Sequence, residues 1–417
     1  MTAKAPDDAT LLARAAWSRV VEPGDVVAGA VIGALGPVDA LGWLRDVARS
    51  RGGSSPGAAW RAAGVPRLDD AARTRLATSV DRWSTRLDGL DPRRELRVLE
   101  RMGGSVVVPE SEDWPVGLAD LGPAAPVCLW VRGSADLSGA LTRSVAVVGA
   151  RACTSYGEHV TAAMSAGLAD AGWTVVSGGA YGIDAVAHRA ALTVGGRTVA
   201  FLAGGVDRLY PAGNAHLLAA IQESGGALVS EVPPGSVPSK VRFLQRNRLI
   251  AAASRATVVV EAAWRSGALS TATHAAGLLR PVGAVPGPVT SAASAGCHRL
   301  LRDGCAVCVT DAAEALELVG GYGRDLAPGR RTPDRPGDGL DIDLRRMLDA
   351  LPLRRPAPVE SIARSAGLTV SEVRSGLGRL ELAGLAEQDG GRWRQKASAA
   401  QNGITQAVGE SSPEYSG

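Results

Sequence analysis

Nine consecutive residues, KVRFLQRNR at 240–248, put four cations around one ring. Lys240, Arg242, Arg246 and Arg248 surround Phe243, and Asn247 stands between the last two arginines. Cations neutralise phosphates, and an aromatic face among them is a platform on which an unpaired base can stack. A charge run is by default a solvated helix face. Composition weighs against that here. The chain has three lysines, Lys4, Lys240 and Lys396, and the only internal one lies in this run. Of its two phenylalanines, Phe201 and Phe243, the second stands in a charged stretch rather than an apolar one.

A second anion-binding feature lies upstream. The apolar run Ser144–Val148 ends in Gly149-Ala150-Arg151, after which Thr154-Ser155 opens a helical pattern. Trp173–Ser177 is another buried-strand run, and it ends in Gly178-Gly179-Ala180-Tyr181-Gly182. Glycines let backbone approach a phosphate, and free N–H groups at a helix start complement negative charge. One such turn serves many α/β folds merely to reverse the chain. Arg151 after one strand, with a glycine turn after the next, says more.

These residues need a scaffold, and the alternation supplies it. Strand patterns recur at 197–202, 227–230, 256–260 and 282–285, separated by helical stretches near 183–194, 214–223, 243–254 and 269–279. That spacing predicts a doubly wound, mostly parallel sheet covered on both faces. Ligands in such sheets sit at the carboxyl ends of the strands, so Arg151, Gly178–Gly182 and the segment from Glu261 to Ser266 and Gly267 are expected on one rim.

The residues at this point resemble the DNA-processing protein A (DprA/Smf) family. The matching blocks are VAVVGAR (145–151), VVSGGAYGIDAVAHRAAL (175–192), GGRTVAFLAGGVDRLYP (195–211), LVSEVPPG (228–235), RFLQRNRLIAAAS (242–254), VVVEAAWRSGALSTA (258–272) and AVPGPV (284–289). The resemblance runs from about residue 102 to 318 and implies a Rossmann-like core that binds single-stranded DNA. It further implies protection of incoming strands, hand-over to a RecA-type recombinase during DNA uptake or recombination, and a homodimer. On this basis Arg151, Gly178, Gly179 and Gly182 are expected to hold phosphates with Ser266 and Gly267. Lys240, Arg242, Arg246, Asn247 and Arg248 are expected to line the track, and Phe243 to stack a base. Three positions depart from the family pattern: Ala150 replaces a serine, Tyr181 an arginine, and Trp264 an acidic residue.

The 417-residue length allows two or three domains. Residues 1–95 read as a helical domain, with amphipathic pieces near 25–50 and 69–87 and a turn at Gly33–Pro37 that resembles helix-hairpin-helix or sterile-alpha-motif modules. The core is expected over 100–319, a flexible linker over 320–340 and a disordered tail over 397–417. Residues 341–396 read as three helices and a hairpin tipped by Gly390-Gly391, a winged helix. That segment holds ten basic and eight acidic residues, a balance that favours weak binding or protein contact over strong duplex reading.

A net charge of +3 means that any nucleic-acid site is a local patch. No run reaches the ~18 apolar residues of a membrane span, the N-terminus lacks the order of a secretory signal, and five scattered cysteines fit a reducing cytoplasm. Cys305 and Cys308 have CxxC spacing within a strand-like run and read as buried small residues. No metal or cofactor is expected. Asp184 and His188 share a helix face but read as an N-terminal carboxylate favoured by the helix dipole and a half-buried histidine. Glu261 is placed as a general base would be, yet it lacks the glycine turn and second glutamate of phosphoribohydrolases, and no Walker lysine or nucleophile elbow is present. A non-enzymatic binder is expected; the alternative is a nucleotide sensor or phosphoribohydrolase-like enzyme on the same rim.

Overall fold

The computed structural model describes residues 6–50, 69–133, 136–319 and 340–396. They divide into two compact units that part at Pro328. The expected linker, apart from Leu340, and the expected tail lie outside the described residues.

The first unit is built on a nine-stranded sheet among the described residues. Its strands are β1 (Gly104–Val107), β2 (Leu129–Gly133), β3 (Ser144–Val148), β4 (Thr174–Ser177), β5 (Thr198–Leu202), β6 (Ala227–Ser230), β7 (Ala256–Val259), β8 (Val282–Ala284) and β9 (Val307–Cys308). They are ordered β1-β2-β6-β5-β4-β3-β7-β8-β9. β6 through β9 in that order pair in parallel, and β1 and β2 extend the β6 edge antiparallel. Every residue of β3 to β7 is buried, the mark of strands covered on both faces. Side chains alternate between those faces. Ala146 and Val148 pack with Leu249–Ala253 and Ala268–Ala275 on one side, Val145 and Val147 with Met164, Leu168 and Ala187 on the other. Strand order reverses at β3, which has β4 on one flank and β7 on the other. The crevice beyond Val148 and Val259 is therefore the topological switch point.

Five helices precede the sheet among the described residues: Asp8–Val20, Val26–Leu35, Pro37–Arg49, Asp70–Ser84 and Pro92–Arg101. Their core centres on Trp17 and Trp83, whose rings meet edge to face at 5.6 Å. Gly33 lies inside a helix, so the turn is tighter than expected: the chain reverses at Gly36 and Pro37 begins the next helix. No single helix among the described residues is long and apolar enough to cross a membrane. The Val26–Leu35 and Pro37–Arg49 pair, apolar when taken together, is bent by 112°.

The cysteine expectation is corrected by the structure. Cys305 and Cys308 are exposed; Cys308 lies on β9, a two-residue strand at the sheet edge whose residues are both exposed. Cys297 is buried.

The second unit comprises helices Ile342–Ala350, Val359–Ala366 and Val370–Leu382 and a hairpin of β10 (Ala386–Asp389) and β11 (Arg392–Gln395). Ala357 bridges Trp393 beside the hairpin. The third helix starts in a capping box between Thr369 and Glu372, which satisfies donors that a helix start leaves open. Of its two arginines, Arg379 pairs with Asp341 at 3.1 Å, and Arg374 is exposed.

Candidate nucleic-acid interface

A cleft of about 470 Å³ opens at the switch point. Its walls are Val148–Ala152 after β3, Asp184, the Phe243–Asn247 stretch, and the segment after β7 containing Arg265, Ser266 and Gly267. One helix, Lys240–Ala253, supplies half of the expected DNA-binding residues. Ser239 caps it by accepting from the Arg242 N–H. An α-helix turns by about 100° per residue, so the residues of KVRFLQRNR fan out around the axis. They meet three different environments.

Phe243 faces the rim. The Arg151 guanidinium lies 4.9 Å from its ring centroid, and the exposed ring of Tyr210 lies 5.9 Å away at 50°. Lys240, one turn earlier, is exposed. Among the described residues neither Arg151 nor Lys240 has a carboxylate partner within ion-pair distance.

Arg246 points inward and is 6% exposed. Its Nη1 donates to the carbonyls of Gly178 and Phe201, each at 2.6 Å. Burial pulls its pKa down to about 10, aided by Arg151 and opposed by Asp184, so it stays charged at neutral pH. Arg242 and Arg248 leave the rim. Arg242 forms a forked pair with Glu22 at 3.0 and 3.2 Å and also donates to the Val237 carbonyl. Arg248 is buried against Glu231 at 2.6 Å. Of the four cations expected on one track, Lys240 has no carboxylate partner among the described residues, Arg246 lines the cleft while bonded to internal carbonyls, and Arg242 and Arg248 are paired with Glu22 and Glu231.

The Gly178–Gly182 turn is likewise built for internal bonding. Asp184 accepts from the N–H of Gly178 at 3.1 Å and of Ala180 at 3.4 Å, so two donors expected to hold phosphate are spent on a carboxylate. Asn214 donates to the Gly179 and Ala180 carbonyls. Gly178 has no room for a side chain, since a Cβ there would sit 2.1 Å from the Arg246 guanidinium. Gly182, at φ +75°, presses on the Ala150 and Arg151 carbonyls, where a Cβ would fall 2.2 and 2.5 Å away. The turn fixes the backbone that carries Arg151.

Asn247 and the β7 loop complete the wall. Asn247 donates to the Gly267 carbonyl at 3.2 Å and accepts from Arg246 Nε at 3.3 Å. Ser266 accepts from the Ala268 N–H at 3.3 Å, just before the Ala268–Gly277 helix, whose N-cap is Gly267.

The titratable groups near the cleft are occupied. His188 is fully buried. Thr198 Oγ1 donates to the Val175 carbonyl and so accepts from His188 Nδ1 at 2.7 Å. Burial pulls the imidazole down to about 3. Burial also pushes the Asp184 carboxyl above its usual range, against the pull of Arg246 and the turn N–H groups. Glu261 accepts from the Thr154 N–H at 2.9 Å and its hydroxyl at 2.6 Å, anchoring the start of the Ser155–Asp170 helix. The position that would suit a general base carries a structural clamp.

Sequence reasoning missed two contributors. Arg265 lines the cleft without a carboxylate partner among the described residues, and its signal was adjacency to Ser266 and Gly267. Tyr210 reaches Phe243 from the β5–β6 connection, 33 positions away, and nothing local announces that contact.

Comparison with known proteins bears on this arrangement. A family model described as DNA recombination-mediator protein A matches residues 105–320, and one described as the DprA winged helix domain matches residues 331–392. The putative DNA processing protein DprA of Mycobacterium tuberculosis is 44% identical over 397 residues, covering 93% of this chain and 95% of that protein. Protein Smf of Escherichia coli is 38% identical over 69% of this chain and 76% of its own length. The crystal structure of DNA processing protein A from Streptococcus pneumoniae aligns with 72% of this chain and 99% of that one, at a TM-score of 0.54 and 28% identity. With sequence, fold and both family matches in agreement, the chain belongs to the DNA-processing protein A (DprA/Smf) family.

Proposed function

We propose that this protein binds single-stranded DNA along the rim at the β3–β7 switch point, without catalysing a reaction on it. The observation that carries the reading is the Arg151–Phe243 pair, an exposed guanidinium parked on a partly exposed ring, with Lys240 one turn away and Tyr210 beside it. A base stacks on an aromatic face through its unpaired π-surface, and neighbouring cations take the flanking phosphates. The names of the relatives, DNA processing protein and recombination-mediator protein, support the same reading. Arg246 and the glycine turn then act at one remove, by fixing the backbone under Arg151.

On this reading the bound strand is protected and passed to a RecA-type recombinase during DNA uptake or recombination, in the cytoplasm and by a homodimer. The winged helix contributes weak binding or protein contact, since one of its two helix-face arginines is held by Asp341. Non-catalytic action is supported by the commitment of Asp184, His188 and Glu261 to internal hydrogen bonds.

Titration with oligothymidylate against mononucleotides tests the proposal. Saturable, salt-sensitive binding of the oligomer with weak mononucleotide binding is expected. Tight binding of a mononucleotide alone, or its turnover, refutes it in favour of a nucleotide sensor or hydrolase. Hand-over is tested by recombinase filament formation on protein-coated single strands, which should be faster with the protein than without.

A further inference from the structure

A second aromatic–arginine pair lies beside the cleft, on the loop after β7 that forms one of its walls. Trp264, in the loop after β7, is 52% exposed. It is the only exposed tryptophan among the described residues: Trp17, Trp43, Trp83, Trp114, Trp130, Trp173 and Trp393 are all buried. A single exposed ring needs no explanation by itself; what distinguishes this one is the cation on its face. The Arg299 guanidinium lies 5.1 Å from its centroid, the same disposition as Arg151 over Phe243 at 4.9 Å.

The local backbone sets this pair up. The N–H of Gly296 donates to the Ala262 carbonyl at 2.7 Å, tying the start of the Ala295–Arg302 helix to the loop that bears Trp264. Residues three apart on a helix share a face, so the tie at Gly296 aims Arg299 at that loop. His298 bonds the Gly287 carbonyl at 3.0 Å and fixes the helix on its other side. Arg299 is half-buried and, like Arg265 beside Trp264, has no carboxylate partner among the described residues. Ala263 and Arg265, the neighbours of Trp264, line the same cleft as Phe243.

We infer that Trp264 and Arg299 form a second base-stacking platform, and that a single strand runs from the Tyr210–Phe243–Arg151 platform across the cleft, past Arg265, to Trp264. The inference rests on the single-strand reading of the rim and predicts something that reading does not: dependence on strand length.

The test measures binding of fluorescent oligothymidylates of about 6 and about 16 nucleotides, bracketing the site sizes of single-strand binders, to wild type, Trp264→Ala, Trp264→Phe and Arg299→Ala. Trp264→Ala should weaken the longer oligomer roughly tenfold, the scale of one lost base–aromatic stack, and leave the shorter one unchanged. Trp264→Phe should restore most of the loss, and Arg299→Ala should lower the salt slope for the longer oligomer only. The longer strand should also quench wild-type tryptophan emission more than that of Trp264→Phe. Thermal melting should be the same for all four proteins. Wild-type affinity in Trp264→Ala at both lengths overturns the inference while leaving the single-strand reading intact, and equal weakening at both lengths overturns it as a separate platform. Failure of wild type to bind either oligomer overturns the underlying reading.

Discussion

Arg246→Ala separates support from contact within the basic helix. The Arg246 guanidinium makes two hydrogen bonds of 2.6 Å to buried carbonyls, on Gly178 and Phe201. Hydrogen bonds to a charged group contribute about 1.5–3 kcal/mol each. Truncation also strands Asp184, whose ionised form has Arg246 as its nearby cation. Removing one partner of a buried charged network costs about 3–5 kcal/mol, and we take roughly 4. For a unit of this size each kcal/mol lowers Tm by about 2–4 °C, so Arg246→Ala should melt roughly 10 °C below wild type. Arg151→Ala, which removes an exposed side chain with no hydrogen bond, should melt near wild type and lose single-strand affinity. Calorimetry and fluorescence anisotropy on the same two proteins, the latter well below both melting points, make the comparison. If Arg246→Ala melts with wild type and loses affinity like Arg151→Ala, Arg246 contacts the strand and its assignment as a brace is wrong.

Other outcomes follow from the same geometry. Arg151→Ala and Lys240→Ala should each lower the salt slope for oligothymidylate by about 0.7, the value for one phosphate contact on a single strand. Arg242→Ala and Arg248→Ala should leave that slope unchanged and reduce stability, because Glu22 and Glu231 already neutralise them. Phe243→Ala should cost about 1–3 kcal/mol of binding at constant salt slope; a lowered slope would mean that the ring positions a cation instead. His188 supplies a pH signature. Its imidazole stays neutral in the fold down to about 3 and takes up a proton near 6.5 when unfolded, so stability is lost as pH falls below 6.5. At about 1.4 kcal/mol per pH unit, acidification to pH 5 removes about 2 kcal/mol. His188→Asn, which can keep the donor to Thr198, should show a flatter melting profile between pH 7 and pH 5. An identical profile would show that this residue does not titrate on unfolding.

The sheet was legible because its strands are buried on both faces and therefore written as short unbroken apolar runs. Val145–Val148 and Thr257–Val259 can be read directly, and Gly149, right after the first, marks the rim. Arg151 and Phe243 were legible as types but not as a pair. Their contact spans 92 positions and depends on the β3–β7 switch. The basic run misled for a geometric reason. Spacing by three and four sets Lys240, Phe243 and Asn247 on one face of the helix, so Arg242 and Arg248 had to point elsewhere. That half of the answer was available from the helical period alone. The other half was not, because Glu22 lies 220 positions from Arg242 and no local pattern links them. Similarly, nothing around Asp184 announces that its carboxylate caps the turn six residues upstream.

The forked contact between Glu22 and Arg242 has a consequence for how the proposed DNA-binding surface is parcelled out. Glu22 also holds Arg86 at 2.9 Å, so one carboxylate from the leading helices masks two guanidiniums, one of them on the helix that carries Phe243. A fragment beginning at the sheet would lack that carboxylate. It would present Arg242 as an extra unshielded cation and hold polyanions of any kind more firmly and less selectively than the whole chain. On the proposed reading, the leading helices would act as a charge filter, leaving Lys240 to meet a strand and withholding Arg242, so that raw attraction is traded for discrimination.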